Sequence, residues 1–293
     1  MVEITGGSPE RVEVNLRVAA GELTQVFEQI SGVERFNDYI GWVNRHVRML
    51  AGQVSQRDID DLLQTRGYWS LRGGDPVTLG NNLAETIRRE IEYQRHALLL
   101  AADEIRSERQ RWDGKGKEPV ALILDTGVLE HNAEELDTAD WHMIGDVHPH
   151  RFLYLVVTRV VLDEIDRHKQ SRDNGSQAKA RRAQARAAIR ALWAMFGTGE
   201  RAAAFSHTDG ILAREGRFEL LNDSIEHHQL ADPDAELLDR SSSLRAYVEA
   251  KVVTFDIGLA LRGKAAGIDV LLLRNDTSDE EAADGFDRRG VAR

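Results

Sequence analysis

The chain has 293 residues, 42% of them apolar and 30% charged, with a formal net charge of −11 and no cysteine. That balance is ordinary for a globular protein of one or two domains. It excludes disulfides, zinc–thiolate centres and a thiol nucleophile, and an acidic chain makes a poor general coat for DNA. No apolar run approaches the ~20 residues that span a bilayer, and the opening MVEITGGSPERVEV lacks the basic and apolar regions of a secretory signal. A cytoplasmic location without membrane contact is therefore expected.

Residues 1–10 read as loose, and VEVNLRV (12–18) alternates like a short strand. From Glu22 to about Ala51 the apolar spacing is helical, through Leu23, Val26, Phe27 and Ile30 and then Phe36, Tyr39, Ile40, Val43 and Val47. SQRDIDDLLQ (55–64) opens with a Ser N-cap and an Asp three residues on. RGGDPVT (72–78) reads as a loop, and a long helix is expected from about Leu79 to Arg111, with Leu83, Ile87, Ile91 and Leu98 on one stripe. His46, His96, Trp42 and Trp69 show no ligand spacing, and the stripes read as core.

The glycines, proline and charges of DGKGKEP (113–119) mark a boundary. We expect a mainly helical domain over 1–117, a second domain over 118–275 and a polar, disordered tail over 276–293. In the second domain VALIL (120–124), RFLYLVVT (151–158), KVVTF (251–255) and DVLLL (269–273) are short, uniformly apolar runs with helical segments between them. That texture predicts an α/β fold: a central, mostly parallel sheet covered on both faces.

In such sheets ligands bind outside the carboxyl ends of the strands. Asp125 follows the first run, Asp256 the third, and Glu164 lies just past the second. In ADPDAELLDR, Pro233 suits a first helical turn, which makes Asp232 the cap and puts Asp234 inside that turn. Each acid alone reads as a turn or cap residue. Together they suggest convergence, and two like charges ~4 Å apart repel by roughly 4 kcal/mol at an effective dielectric of ~20. Protonation, nearby cations or a bound divalent metal would offset this, and Mg²⁺ or Mn²⁺ suits carboxylate oxygens.

LILDTGVL, VLDEIDRHK, DAELL and VVTFDIGLALRGKAAGIDV, in this order, resemble the PIN domain, a fold of metal-dependent ribonucleases. The likeness covers about 119–275, and VLDEIDRHK with the later AKARRAQARAAIR looks most like the PIN domains attached to PhoH-type ATPases. The resemblance implies a three-layer α/β domain in which Asp125, Glu164, Asp234 and Asp256 are metal ligands and catalytic, with Mg²⁺ or Mn²⁺ as cofactor and RNA as substrate. Gly127 stands where many members carry Asn or Ser, Phe255 replaces the usual Asn or Asp, and Asp232 and Asp239 compete with Asp234 for the third position. Thr126 and Thr254 read as supports of the ligand carboxylates or as plain turn and strand residues.

The stretch 167–190 carries eight basic residues against the single Asp173. Lys169, Arg181, Arg182 and Arg186 are placed to hold a phosphate backbone, or else they form a solvated helix face. His168 reads as an acid or base, or more plainly as a surface histidine. The leading expectation is a metal-dependent endoribonuclease. A catalytically silent module that binds RNA or a protein, and a structure-specific DNA nuclease, stay open beside it. Docking or self-association through the N-terminal helices also stays open.

Overall fold

The computed structural model describes residues 2–27, 32–74, 82–173, 175–197, 199–200, 202–209, 212–223 and 227–274. Ile30, the expected helix start near Leu79, part of the 72–78 loop and the tail at 276–293 lie outside the described residues. The chain divides into two compact units, Met1–Asp113 and Gly114–Arg293.

The first unit is helical: α1 (Pro9–Phe27), α2 (Gly32–Leu50), α3 (Gln56–Leu62), α4 (Arg66–Gly73) and α5 (Asn82–Arg111). The strand expected over 12–18 is instead the first half of α1. Val12, Leu16, Ala19, Ala20 and Leu23 are buried at helical spacing, whereas Val14 and Val18 face outward. The alternation of valines with polar residues was real but short, and packing of α1 along α5 overrides it. Residues near the N-terminus are also tied down, since Thr5 donates to the Gln53 carbonyl and Ser55 to the Glu3 carbonyl. Ser55 caps α3 as expected, accepting from the Asp58 amide. Among the described residues of this unit, Glu13 is a buried carboxylate. Glu13 is 4% exposed and receives Arg17, Arg106 and Arg109 at 3.1, 2.8 and 2.9 Å. Burial pushes its carboxyl up, but the three guanidinium hydrogen bonds outweigh this and hold it below the ordinary Glu range.

The second unit is built on a sheet whose strands, among the described residues, are β1 (Pro119–Leu124), β2 (Phe152–Thr158), β3 (Ala202–Asp209), β4 (Leu212–Leu221), β5 (Glu249–Thr254) and β6 (Asp269–Leu272). They lie in the order β3-β4-β2-β1-β5-β6, and all neighbours are parallel except the β3–β4 hairpin. The hairpin adds two strands to the four apolar runs read from the sequence. Its Ala202–Ala203–Ala204 run has no strand preference of its own. What holds it is pairing with β4, where Gly216 lets Phe205 approach: a Cβ there would sit 2.4 Å from the ring. β1 and β2 are buried along nearly their whole length, which is why they read as unbroken apolar runs. The intervening helices are α6 (Thr126–His131), α7 (Trp141–Ile144), α8 (Arg159–Gln170), α9 (Ser176–Phe196), α10 (Pro233–Leu244) and α11 (Ile257–Ala265).

Candidate metal centre

Neighbouring parallel strands β1 and β5 end side by side, with Leu124 opposite Val253 and the Asp125 amide bonded to the Val253 carbonyl at 3.1 Å. Both chains turn into helices at that edge, and each turn is made by an aspartate. Asp125 caps α6 by accepting from the Thr126 amide at 2.7 Å, and Asp256 caps α11 by accepting from the Leu259 amide at 3.0 Å. The cap requirement explains why an acid follows each of these two strands.

Two threonines connect the acids. Thr254 donates its hydroxyl to the other Asp125 oxygen at 2.7 Å and accepts from the Asp256 amide at 2.9 Å. Thr126 donates to Glu164 at 2.6 Å. Both threonines are buried. Asp125 is thus linked to Glu164 through the amide and hydroxyl of Thr126, and to the Asp256 backbone amide through the Thr254 hydroxyl. Burial pushes the Asp125 carboxyl above the ordinary Asp range; the hydrogen bonds from Thr254 and Thr126 oppose this, and the charges of Glu164 and Asp256 add to it. A half-buried carboxylate with two acids as neighbours, all hard oxygen donors, is a donor set that fits a divalent cation. These three are residues that could hold it.

The remaining predicted residues are placed differently. Glu164 is not at the strand-to-helix junction, which lies at Thr158–Arg159, but in the second turn of α8. Asp232 caps α10 and Asp234 occupies its first turn. Arg262 of α11 pairs with both, at 2.7 Å from Asp232 and in close contact with Asp234. Asp239, one turn along, is 3.3 Å from Arg240. Lys169 pairs with Asp166, and Arg182 donates to the carbonyls of Ser171 and Asp173 at 2.7 Å, closing the loop between α8 and α9. Arg181 and Arg186 are exposed on α9. Gly127 and Phe255, the two departures noted above, face each other: the Phe255 ring lies 3.8 Å from where a residue-127 Cβ would be and stacks edge-on against His131.

His168 is not a plain surface histidine. It is half-buried, with Nδ1 2.7 Å from Glu130 and Nε2 3.9 Å from Glu164. Glu130, on α6, is 6% exposed, and burial pushes its carboxyl up against the opposing hydrogen bond to His168. Reading the sequence alone passed over Glu130, because its partner is 38 positions away and no local pattern pairs them. Glu130 and His131 also line a cleft whose other wall includes Gln184 and Arg190 of α9.

A compact acid–imidazole triad lies elsewhere: Asp223, His227 and Glu236 have ligand atoms all within 4.8 Å of one another. Protein partners account for its charge. Glu236 meets His227 at 2.6 Å, the Leu230 amide at 2.8 Å and Arg240 at 3.7 Å, while Arg159 and Arg240 flank Asp223 at 3.9 and 4.0 Å. Two guanidinium groups this close stand against a dication there, and we read the cluster as an ion-pair network.

A mostly parallel sheet flanked by helices, with acids capping the helices that follow its strands, defines a three-layer α/β domain. Residues 122–274 match the PIN domain, and the chain belongs to the PIN-domain family. Members of that family are in general nucleases, hydrolases that act on nucleic acid and typically bind divalent metal. No curated protein matches the chain. Among the described residues no helix is long and apolar enough to cross a membrane.

Proposed function

We propose that this protein is a Mg²⁺- or Mn²⁺-dependent ribonuclease that hydrolyses RNA phosphodiester bonds, with Asp125, Glu164, Asp234 and Asp256 as the carboxylates of its metal centre. The observation that carries the reading is the pair of buried threonines: Thr254 donates to Asp125 and accepts from the Asp256 amide, while Thr126 meets Asp125 with its amide and Glu164 with its hydroxyl. Hydroxyls that orient the ligand carboxylates are the support a metal centre needs. When bound, the cation supplies a water of lowered pKa and offsets charge on the phosphoryl group.

The chain's own groups do the rest. Thr254 and Thr126 orient Asp125 and Glu164, and the helix caps fix Asp125 and Asp256 relative to the sheet edge. Asp234 joins by exchanging its ion pair with Arg262. Arg181 and Arg186 present exposed charge on the helix that follows Glu164's own, where a phosphate backbone would be held. Within the family we group the chain with the PIN domains of PhoH-type proteins, on VLDEIDRHK and the basic helix after it. A cysteine-free composition fits a cytoplasmic enzyme.

The test is Asp125→Asn on single-stranded RNA in Mg²⁺ and in Mn²⁺. We expect cleavage to fall by at least about 100-fold, the scale of one lost electrostatic contact to the transition state. The fold should survive: the amide removes a buried charge beside two others, so the metal-free melting temperature holds or rises. Cleavage by this variant at the wild-type rate in Mn²⁺ would remove the proposal.

A further inference from the structure

Lys179, Arg186, Arg190 and Trp193 share one face of α9, within an arc of about 60° at 3.6 residues per turn. Ala185, Ala188, Leu192 and Phe196 form a different, buried face. All four of the first set are exposed, Trp193 to 74%. Among the described residues Lys179, Arg186 and Arg190 have no ion-pair partner and no cation lies over the Trp193 ring, whereas Lys169 on α8 is paired with Asp166. Gly197 follows one turn after Trp193. A Cβ there would lie 3.3 Å from the indole, so the glycine leaves the ring room to rest against the helix end. An exposed tryptophan alone carries nothing. Beside three unpaired cations it completes the pairing that holds single strands: charge along the backbone and a ring on which bases stack. Arg190 also belongs to the cleft described above, about 560 Å³ in volume, whose far wall includes the exposed Glu134 and Glu135. That volume suits a small ligand group. Carboxylates repel phosphate but accept hydrogen bonds from an exocyclic amino group, as Glu does from cytosine N4. The cleft therefore suits a base, with the phosphates kept to its α9 rim.

We propose that this face of α9 is a binding platform for single-stranded RNA: Trp193 stacks a base, Lys179, Arg186 and Arg190 hold phosphates, and the cleft beside Arg190 takes a neighbouring base that bears an amino group. The inference rests on the ribonuclease reading above for its substrate and adds to it where and in what form the strand is held. A duplex is excluded from such a platform because its bases are already stacked on one another.

The experiment uses the full chain in Ca²⁺, to suppress cleavage, with Trp69→Phe so that Trp193 is its exposed tryptophan; Trp42, Trp112 and Trp141 are buried. The probes are a cytidine oligonucleotide of about 12 residues, its uridine counterpart, an RNA duplex of that length and a polyglutamate peptide. The cytidine strand should quench the fluorescence, and the duplex and the peptide should not. Trp193→Phe should remove the quench and keep most of the affinity. Trp193→Ala should weaken binding roughly 5- to 150-fold, the range for one lost stacked base, with the salt slope unchanged. Lys179→Ala with Arg190→Ala should instead lower that slope by about 1.4. The uridine strand, without the amino group, should bind more weakly than cytidine, and Glu134→Gln with Glu135→Gln should narrow the difference. Equal quenching by the duplex, quenching by the peptide in place of RNA, or wild-type affinity in Trp193→Ala would overturn this inference. The ribonuclease reading would still stand if RNA cleavage in Mn²⁺ is lost in Asp125→Asn. Protein that neither binds nor cleaves RNA would bring down that reading, and this inference with it.

Discussion

Asp125 and Glu13 are carboxylates with opposite surroundings. Burial disfavours the charged form of Asp125, and the neighbouring acids add to this against the hydrogen bonds from Thr254 and Thr126. Glu13 is met by three arginines, and its charged form is held. Because Glu13 titrates below the ordinary Glu range when folded, its stabilisation is fully present above that range, near pH 4.5, and disappears as pH falls through the lower folded value. Glu13→Gln should therefore cost about 2 kcal/mol at neutral pH. That is less than the ~3–5 kcal/mol for breaking a fully buried pair, because the arginines reach solvent. The loss should vanish in acid. Urea titrations of both proteins at pH 7 and pH 3 check this, and an equal loss at both would mean that Glu13 contributes by packing rather than charge.

At the scale of elements, α9 is a helix of two parts. Arg182 is spent on the carbonyls of Ser171 and Asp173, so it braces the turn from α8, whereas Arg181 and Arg186 stand exposed. Each phosphate contact on a single strand contributes a salt slope of roughly 0.7. Arg181→Ala with Arg186→Ala should thus flatten the dependence of RNA affinity on salt by about 1.4, twice that value, and change turnover at saturating RNA far less. Arg182→Ala should act mainly by loosening the turn. Binding across a salt series in Ca²⁺, used to suppress cleavage, reads these slopes. Parallel lines for wild type and the double variant would make α9 an ordinary solvated helix.

The whole molecule comprises two compact units, and the proposed metal site belongs to one of them. A cation at about 100 times its dissociation constant adds about 2.7 kcal/mol to the state that binds it. For a unit of this size that is roughly 5–10 °C in melting temperature. Calorimetry with and without Mn²⁺ should show one transition moving by that amount and another staying, with Asp125→Asn abolishing the shift and Glu13→Gln lowering the stationary transition. If both transitions move together, the units unfold as one body.

Much of this was legible in the linear chain. Uniformly apolar runs announced buried parallel strands, because burial on both faces leaves no room for alternation. Asp232, followed by proline, announced a helix cap, and the order of acids between apolar flanks announced the family. These are local signals, carried within a few residues by steric and hydrogen-bonding preferences. The sequence was misleading wherever a partner far along the chain decides. VEVNLRV alternates like a strand yet is helical against α5, and the alanines of β3 become a strand only by pairing with β4. Within the candidate centre, an Asp after a strand could be read directly. Which oxygen each threonine holds, the pairing of Asp234 with Arg262, and the grip of Glu130 on His168 could not. Each of those contacts closes a gap of about 28 to 129 positions, and separation in sequence says nothing about such a contact until the sheet brings its strand ends together.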